Sequence, residues 1–234
     1  MRIMVVLGDY PAEEMERRRR AIERCASPDT DIELGLIDAT VFRRSNAEVN
    51  ALTAAPLVAR KAQEAEGAGI DAVVPFGTLD IGVELARHLV KIPVVGAGQA
   101  TFHLAAMLSQ RLGVISYEST SIPFTRKHAR AWGVEHLVVS WQSIETPLVE
   151  SADQHASMRD RILACARRAM DDGAEIIFPQ GVTMVPVHYS AREISDDIGV
   201  PVLDALAISI QTAELMVRTG LRHSPLSYPP VAGL

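Results

Sequence analysis

The stretch GIDAVVPFGTLD, residues 69–80, decides the fold, because GAEIIFPQGVTM, residues 173–184, repeats its pattern. The Pro-x-Gly at 75–77 in the first stretch corresponds to the Pro-x-Gly at 179–181 in the second, 104 residues later. An apolar run rich in Val and Ile that ends in such a turn signal is typical of a buried strand. The sequence therefore predicts an internal duplication of a strand and the helix that follows it.

Short apolar runs alternate with longer segments of helical period along the chain, which predicts βαβ units and parallel strands. The predicted strands are 2–8, 31–38, 71–77, 92–98, 111–117, 135–141, 174–181 and 200–205. The predicted helices are 11–26, 46–67, 79–90, 99–110, 119–132, 154–172, 185–197 and 205–219. Several strand centres carry almost no polar residue, as expected of strands covered on both faces.

These elements divide into two halves with the same order. The predicted fold class is α/β, with two similar Rossmann-like lobes, each a four-stranded parallel sheet flanked by helices, related by pseudo-two-fold symmetry. Residues 1–98 plus 206–234 form the first predicted lobe, and residues 99–205 form the second. No flexible linker composition separates the lobes, so we expect them to pack closely around an active-site cleft.

Composition excludes several classes of function. The chain has 48% hydrophobic residues and a formal charge of −6, so it lacks the basic surplus of a nucleic-acid-binding protein. Its short N-terminal apolar run does not resemble a signal peptide, and no stretch approaches the roughly 18 apolar residues of a membrane span. Its two cysteines, Cys25 and Cys165, form no disulfide framework and are predicted to be core residues. We expect a cytoplasmic protein without a membrane partner.

Cofactor and metal motifs are also lacking. The segment GAGQAT, residues 96–101, has Gly-x-Gly without the third glycine of a dinucleotide loop. The sequence shows no His, Cys, Asp and Glu cluster with metal-ligand spacing, and no Gly-x-Ser-x-Gly elbow. We expect neither a cofactor nor a metal ion.

The duplicated strand ends are the predicted site. In open parallel sheets, ligands bind beyond the carboxyl ends of the strands. Gly77 and Gly181 stand at two such ends, where a glycine lets the backbone approach a ligand and the following N–H groups point at it. The pair is therefore predicted to bind a small anion or oxyanion.

At these residues the chain resembles the aspartate/glutamate/hydantoin racemase superfamily, which includes hydantoin and allantoin racemases, maleate isomerases and arylmalonate decarboxylases. The resemblance covers nearly the whole chain. Its carriers are GIDAVVPFGTLDIGVELARHL, IPVVGAGQATFHLA, RLGVISYESTSIPF, GAEIIFPQGVTM, IGVPVLDALAISIQTAELM and HSPLSYPP.

The resemblance implies a pair of cysteines, one after each repeated strand, that remove and return a proton on opposite faces of a carbon acid. In this sequence Gly77 and Gly181 stand at those two positions, so both thiols are missing. Neither Cys25 nor Cys165 replaces them, since both lie within helical patterns. The sequence thus argues against the two-thiol mechanism.

The segment FGT, residues 76–78, is similar to the decarboxylase branch, in which Gly-Thr forms part of a pocket for a carboxylate or enediolate. This similarity implies that Gly77, Thr78, Gly181, Val182 and Thr183 bind the substrate. The decarboxylase branch keeps its second cysteine, however, where this chain has Gly181. The usual Asn after the first strand is also replaced, by GDYP at residues 8–11.

Other side chains near strand ends are candidates for proton transfer or binding. The predicted catalytic candidates are Asp80, His188, Tyr189 and Tyr117. Asp80 has an alternative role, because an Asp in the first turn of a helix satisfies free N–H groups. The further substrate-binding candidates are Asp9, Tyr10 and Gln99.

The resemblance implies a cofactor-independent, racemase-like isomerase. Its substrate would be a small carboxylate or a cyclic amide of the hydantoin kind, held in an oxyanion-stabilising pocket without thiols. A thiol-free decarboxylase or hydrolase on the same scaffold, and a non-catalytic binder of small anions, stay open as alternatives. The resemblance also implies a homo-oligomer.

Overall fold

The computed structural model of the chain describes residues 1–42, 47–146 and 155–231. The strands are β1 (Arg2–Gly8), β2 (Asp31–Ile37), β3 (Ala72–Pro75), β4 (Leu112–Ser116), β5 (Val138–Ser143) and β6 (Ile176–Pro179). The α-helices are α1 (Ala12–Cys25), α2 (Ala47–Gly67), α3 (Val83–Leu89), α4 (Ala97–Leu108), α5 (Ile122–Ala131), α6 (His155–Asp171), α7 (Ala191–Ile198) and α8 (Ala205–Thr219). The predicted alternation of strands and helices, and with it the α/β class, is confirmed.

The strands form two parallel three-stranded sheets, in the orders β2-β1-β3 and β5-β4-β6. Strands β3, β4 and β6 are buried at every residue, as the absence of polar residues from their centres predicts. In both sheets the middle strand opens its half of the chain, and the strand ending in Pro-x-Gly lies beside it. The duplication seen in the sequence is thus a duplication of sheet topology.

The prediction of four strands per sheet is wrong. The segments 92–98 and 200–205 each contribute a single β-bridge, Val73 with Val94 in one sheet and Ile177 with Val202 in the other. Pairing stops there because α4 begins at Ala97 and α8 begins at Ala205. Each predicted strand is therefore cut short by the helix that follows it.

The chain divides into two compact units. Unit 1 comprises the described residues of Met1–Arg44, Glu48–Ala97 and Leu206–Leu234, and unit 2 comprises those of Ser45–Ala47 and Gly98–Ala205. In unit 1, residues of α2 and α3 such as Val58 and Ala86 pack on the first sheet, and in unit 2 residues of α6 such as Ile162 pack on the second. The cleft and the pseudo-symmetry between lobes stay predictions.

Two predicted helices differ from the structure. The predicted helix 79–90 is shortened to α3, which begins at Val83 after Gly82, a residue with φ of 80°. The predicted helix 185–197 is divided into a π-helical segment, Thr183–His188, and α7. Pro186 lies inside that segment and cannot continue an α-helical ladder.

In the described part of the chain, every helix is too short or too polar to cross a membrane.

Candidate functional site

The end of β3 in unit 1 leaves space around its glycine. The Phe76 N–H donates to the Val6 carbonyl at 2.8 Å and continues the sheet by one residue, after which the chain turns at Gly77. Apart from the adjoining residues Phe76 and Thr78, the described residues have no atom within 4 Å of a Cβ added to Gly77. Thr78, the next residue, is buried. This strand end therefore has room for a side chain at position 77 although the sequence supplies none.

Asp80 lies in a turn before α3, which begins at Val83, and not in the first turn of a helix as the alternative expectation placed it. Its φ is +52°, in the left-handed region that Asp tolerates better than most residues. The side chain is buried, and a Cβ added to Gly96 would lie 2.3 Å from the Asp80 Oδ2 atom. The Asp80 carboxylate thus occupies the space that a side chain at position 96 would need.

Asp9 and Tyr10, which follow β1, make local contacts. The Ala39 N–H donates to Asp9 Oδ1 at 2.6 Å, so this carboxylate fixes the turn after β2. The Arg18 guanidinium lies 4.1 Å from the centre of the Tyr10 ring. Burial, partly offset by Arg18, raises the pKa of the Tyr10 phenol. The binding roles expected of both residues stay predictions.

A C-terminal clasp, formed by His223 and Tyr228, holds the segment that leads to Gly96. The Val94 N–H donates to His223 Nε2 at 2.9 Å. Arg87 donates to the Val94 carbonyl at 3.0 Å and to the Tyr228 hydroxyl at 3.1 Å. Burial, assisted by the nearby Arg87 charge, lowers the pKa of His223 to about 4. The sequence reasoning noted HSPLSYPP only as part of the resemblance and assigned His223 no role.

The end of β6 in unit 2 has the same backbone course but crowded surroundings. The Gln180 N–H donates to the Ile115 carbonyl at 2.7 Å, as the Phe76 N–H does in unit 1. The Gly181 N–H donates to the Pro179 carbonyl at 3.0 Å, so this amide is engaged within its own turn. A Cβ added to Gly181 would lie 2.2 Å from Cε2 of Tyr117. The structure therefore brings together two residues that the sequence reasoning considered separately.

A chain of buried hydroxyl and amide groups supports this strand end. Gln180 Nε2 donates to Thr125 Oγ1 at 2.6 Å, and Thr125 Oγ1 donates to the Ser121 carbonyl at 3.3 Å. The hydroxyls of Ser116 and Ser121 lie 2.8 Å apart. Gln180 Oε1 is buried and has no hydrogen-bond partner among the described residues. Sequence reasoning missed this group, although Ser116 and Gln180 are polar residues at the ends of apolar strands.

The remaining candidates of unit 2 lie on or beside the π-helical segment, and Gln99 lies in the first turn of α4. Val182 is buried and precedes this segment, which begins at Thr183 and ends at His188. The rings of His188 and Tyr189 are 6.4 Å apart. Burial raises the pKa of the Tyr189 phenol, which packs against the core of unit 2. The site roles of these residues stay predictions.

The cysteines are buried, as predicted for core residues. The Cys165 thiol donates to the Ser143 carbonyl at 3.2 Å and accepts from Arg168 at 3.0 Å. Burial is the main cause that raises the pKa of this thiol. Within residues 1–42, 47–146 and 155–231, no group of three His, Cys, Asp or Glu side chains is arranged to hold a metal ion.

Comparison with known proteins identifies the family. A model of the Asp/Glu/Hydantoin racemase family matches residues 12–213, so the chain belongs to that family. This match confirms the predicted superfamily at the level of the family. It also confirms the expectation that the chain belongs to an isomerase family.

Individual relatives agree with this assignment. The hydantoin racemase of Paenarthrobacter aurescens is 29% identical over 153 residues, which cover 62% of this chain and 61% of that enzyme. The hydantoin racemase of Rhizobium meliloti is 26% identical over 174 residues, 72% of this chain and 70% of that enzyme. The allantoin racemase structure from Pseudomonas fluorescens shares the fold with a TM-score of 0.84, at 24% identity over 100% of this chain and 98% of that one. The chain thus aligns with about three fifths of the first relative's length.

Proposed function

We propose that this chain is a cofactor-independent isomerase that moves a proton on a cyclic amide of the hydantoin or allantoin kind without using thiols. The family and the activities named for its relatives support the reaction class. The side chains at the two repeated strand ends support a mechanism without thiols. Asp80 follows Gly77 by three residues, and Tyr117 packs on Gly181, so both ends have a side chain able to exchange a proton.

The chemistry requires a base, an acid and a stabilised intermediate. Removal of the proton from a carbon next to a carbonyl leaves an enolate, whose charge lies largely on oxygen. Asp80, a buried carboxylate, is the proposed base of unit 1. The Thr78 hydroxyl and the neighbouring amides are the proposed donors to the enolate oxygen, and one such donor is typically worth about 3 kcal/mol.

Proton NMR in heavy water tests the proposal directly. The panel contains hydantoins, allantoin, aspartate, glutamate, maleate, maleamate and aryl malonates. We expect exchange of the carbon-bound proton of a hydantoin or of allantoin, followed by inversion. Ring opening or loss of carbon dioxide without exchange would contradict the proposal and favour the thiol-free hydrolase or decarboxylase. Saturable binding without any reaction would favour the anion binder.

Variants of unit 1 test the assigned roles. Asp80→Asn keeps the shape that fits against Gly96 but removes the base, so kcat is expected to fall about 100-fold or more. Thr78→Val removes a donor at constant size and is expected to weaken substrate affinity or kcat about 10-fold or more. Glu84→Gln, an exposed carboxylate of α3, is the matched control. An unchanged rate in Asp80→Asn would remove Asp80 from the mechanism.

A further inference from the structure

The ring of Tyr117 fills the position of a side chain at residue 181. A Cβ on Gly181 would lie 2.2 Å from Cε2, 3.0 Å from Cδ2 and 3.2 Å from Cζ of that ring. Carbon atoms that are not bonded do not approach to 2.2 Å, because optimal separations are about 3.5 to 4.0 Å. Position 181 must therefore be glycine as long as the ring keeps its place.

The ring has little freedom to move away. Tyr117 is only 6% exposed and belongs to the core of unit 2 together with Ile144, Met184 and Val185. Its backbone is fixed at the end of β4, since the Thr146 N–H donates to the Tyr117 carbonyl at 3.0 Å. A side chain at position 181 would have to displace a packed aromatic ring, which costs stability.

The ring atom that carries the Tyr117 hydroxyl lies close to the Cβ position of residue 181. Cζ carries the hydroxyl and lies 3.2 Å from the Cβ position, so the phenolic oxygen is at most one bond further away. Gly77 offers no such substitute, since apart from Phe76 and Thr78 none of the described residues has an atom within 4 Å of its Cβ position. The Tyr117 ring therefore explains why position 181 is a glycine, whereas no neighbouring side chain explains the glycine at position 77.

We propose that Tyr117 takes the place of the second thiol and is the proton donor at the end of β6. A phenol carries its proton on oxygen, so the proposed role of Tyr117 is that of an acid. Its O–H bond breaks while the electron pair of the enolate forms the new C–H bond, and the phenolate regains a proton from water. This chemistry rests on the proposed function and requires a substrate that forms an enolate, whereas the steric claim does not.

Cysteine variants test the steric claim without any substrate. Gly181→Cys is expected to lower the Tm by about 6 °C or more, whereas Gly77→Cys leaves it unchanged. In a Tyr117→Ala background, Gly181→Cys is expected to cost nothing further and to give a thiol that reacts rapidly with a disulfide reagent in the folded protein. Gly181→Cys with the Tm of Gly77→Cys would overturn the claim, as would an undiminished cost of Gly181→Cys in the Tyr117→Ala background.

Tyr117→Phe tests the chemical claim, because it keeps the ring and removes only the hydroxyl. We expect an unchanged Tm, a fall in kcat of about 10- to 100-fold with little change in KM, and loss of the alkaline limb of the kcat profile. Tyr228→Phe, which removes a phenol hydroxyl from the C-terminal clasp, is the matched control. Wild-type kcat and an unchanged pH profile in Tyr117→Phe would overturn the assignment as proton donor.

The two proposals fail in different ways. Absence of exchange in the wild-type protein across the whole panel would overturn the proposed function and the proton-donor role together. The stability and labelling results for Gly181→Cys would still decide whether Tyr117 holds the place of the thiol. Exchange in the wild type that survives Tyr117→Phe would overturn only the role of Tyr117.

Discussion

The two Pro-x-Gly strand ends share a sequence pattern and one backbone hydrogen bond but have different surroundings. At the end of β3, the Cβ position of Gly77 is open, whereas at the end of β6 the ring of Tyr117 covers Gly181. In both units the next N–H upstream, from Phe76 or Gln180, donates to the middle strand of its sheet. A duplicated backbone therefore does not give a duplicated site, because the room at each glycine depends on a side chain from another part of the chain.

Unit 1 has its own covered glycine, at a different place. The Asp80 carboxylate lies against Gly96, next to the single bridge between Val73 and Val94. Gly96 thus makes room for an aspartate in unit 1, as Gly181 makes room for a tyrosine in unit 2. If the two pairs are distinct, substitutions at Gly96 and around Gly181 will affect stability separately.

The largest effect is expected for Gly96→Ala in unit 1. Its Cβ would overlap the Asp80 carboxylate, so the free energy of unfolding is expected to fall by about 2 to 3 kcal/mol. Gly77→Ala, at the open glycine of the same unit, is the control and should lie within about 0.5 kcal/mol of the wild type. Urea denaturation measures both. Equal stabilities for the two variants would show that the carboxylate gives way freely and that the pair is not tightly packed.

Thr125→Val tests whether the hydrogen bond between Gln180 and Thr125 stabilises the end of β6. Loss of the hydroxyl leaves Gln180 Nε2 without its acceptor, beside an Oε1 atom that already lacks a partner among the described residues. Because both ends of a buried amide would then be unpaired, stability should fall by about 2 kcal/mol. Thr120→Val, at an exposed position of the same region, is the control. A loss no larger than that of the control would indicate that the amide finds another partner.

Because of His223, we expect the stability of unit 1 to depend on pH. Its pKa is lowered to about 4 in the folded protein, below the ordinary value of about 6.5 expected when unfolded. The unfolded chain therefore binds the proton first, so the stability is full above pH 6.5 and declines as the pH falls toward 4. Allowing for partial exposure of the ring, we expect a loss of about 1 to 2 kcal/mol across that window.

His223→Gln should remove most of this decline, as measured by urea denaturation between about pH 4.5 and 7.5. His103→Gln, an exposed histidine of α4, is the control. Hydrogen exchange should show the Val94 N–H losing protection in acid, while the Leu203 N–H, which donates to Ile177 in unit 2, does not. Equal loss at both amides would mean that acid acts on the whole protein rather than on the C-terminal clasp.

The sequence predicted the parts of the fold that depend on local patterns. Apolar runs located β1 at residues 2–8, and the helical period located α8 at 205–219, both with the bounds observed. The fourth strand of each sheet was wrong because apolarity shows burial and does not show how many ladder bonds a segment makes. Val94 and Val202 are as apolar as any strand residue, yet each has only one bridge.

The candidate site was less predictable for a physical reason. Gly181 was found from the repeat, but the ring that covers it comes from Tyr117, 64 residues earlier, and no local pattern joins the two. Asp80 was found from its position after the strand, whereas its contact with Gly96 depends on a left-handed turn. The sequence thus located candidate groups at the strand ends. It did not show which side chains pack against them, because those contacts depend on the tertiary structure.

The discontinuity of unit 1 has a consequence for the order of folding during synthesis. Unit 2 lies mainly in one stretch, Gly98–Ala205, to which Ser45–Ala47 is added, whereas unit 1 needs both the first residues of the chain and α8. Glu214 of α8 is buried and accepts from the Ser27 N–H at 2.8 Å and from the Thr30 hydroxyl at 2.7 Å. These long-range contacts form only after the ribosome has made all of unit 2. We therefore expect the half that begins first to be the half that finishes folding last.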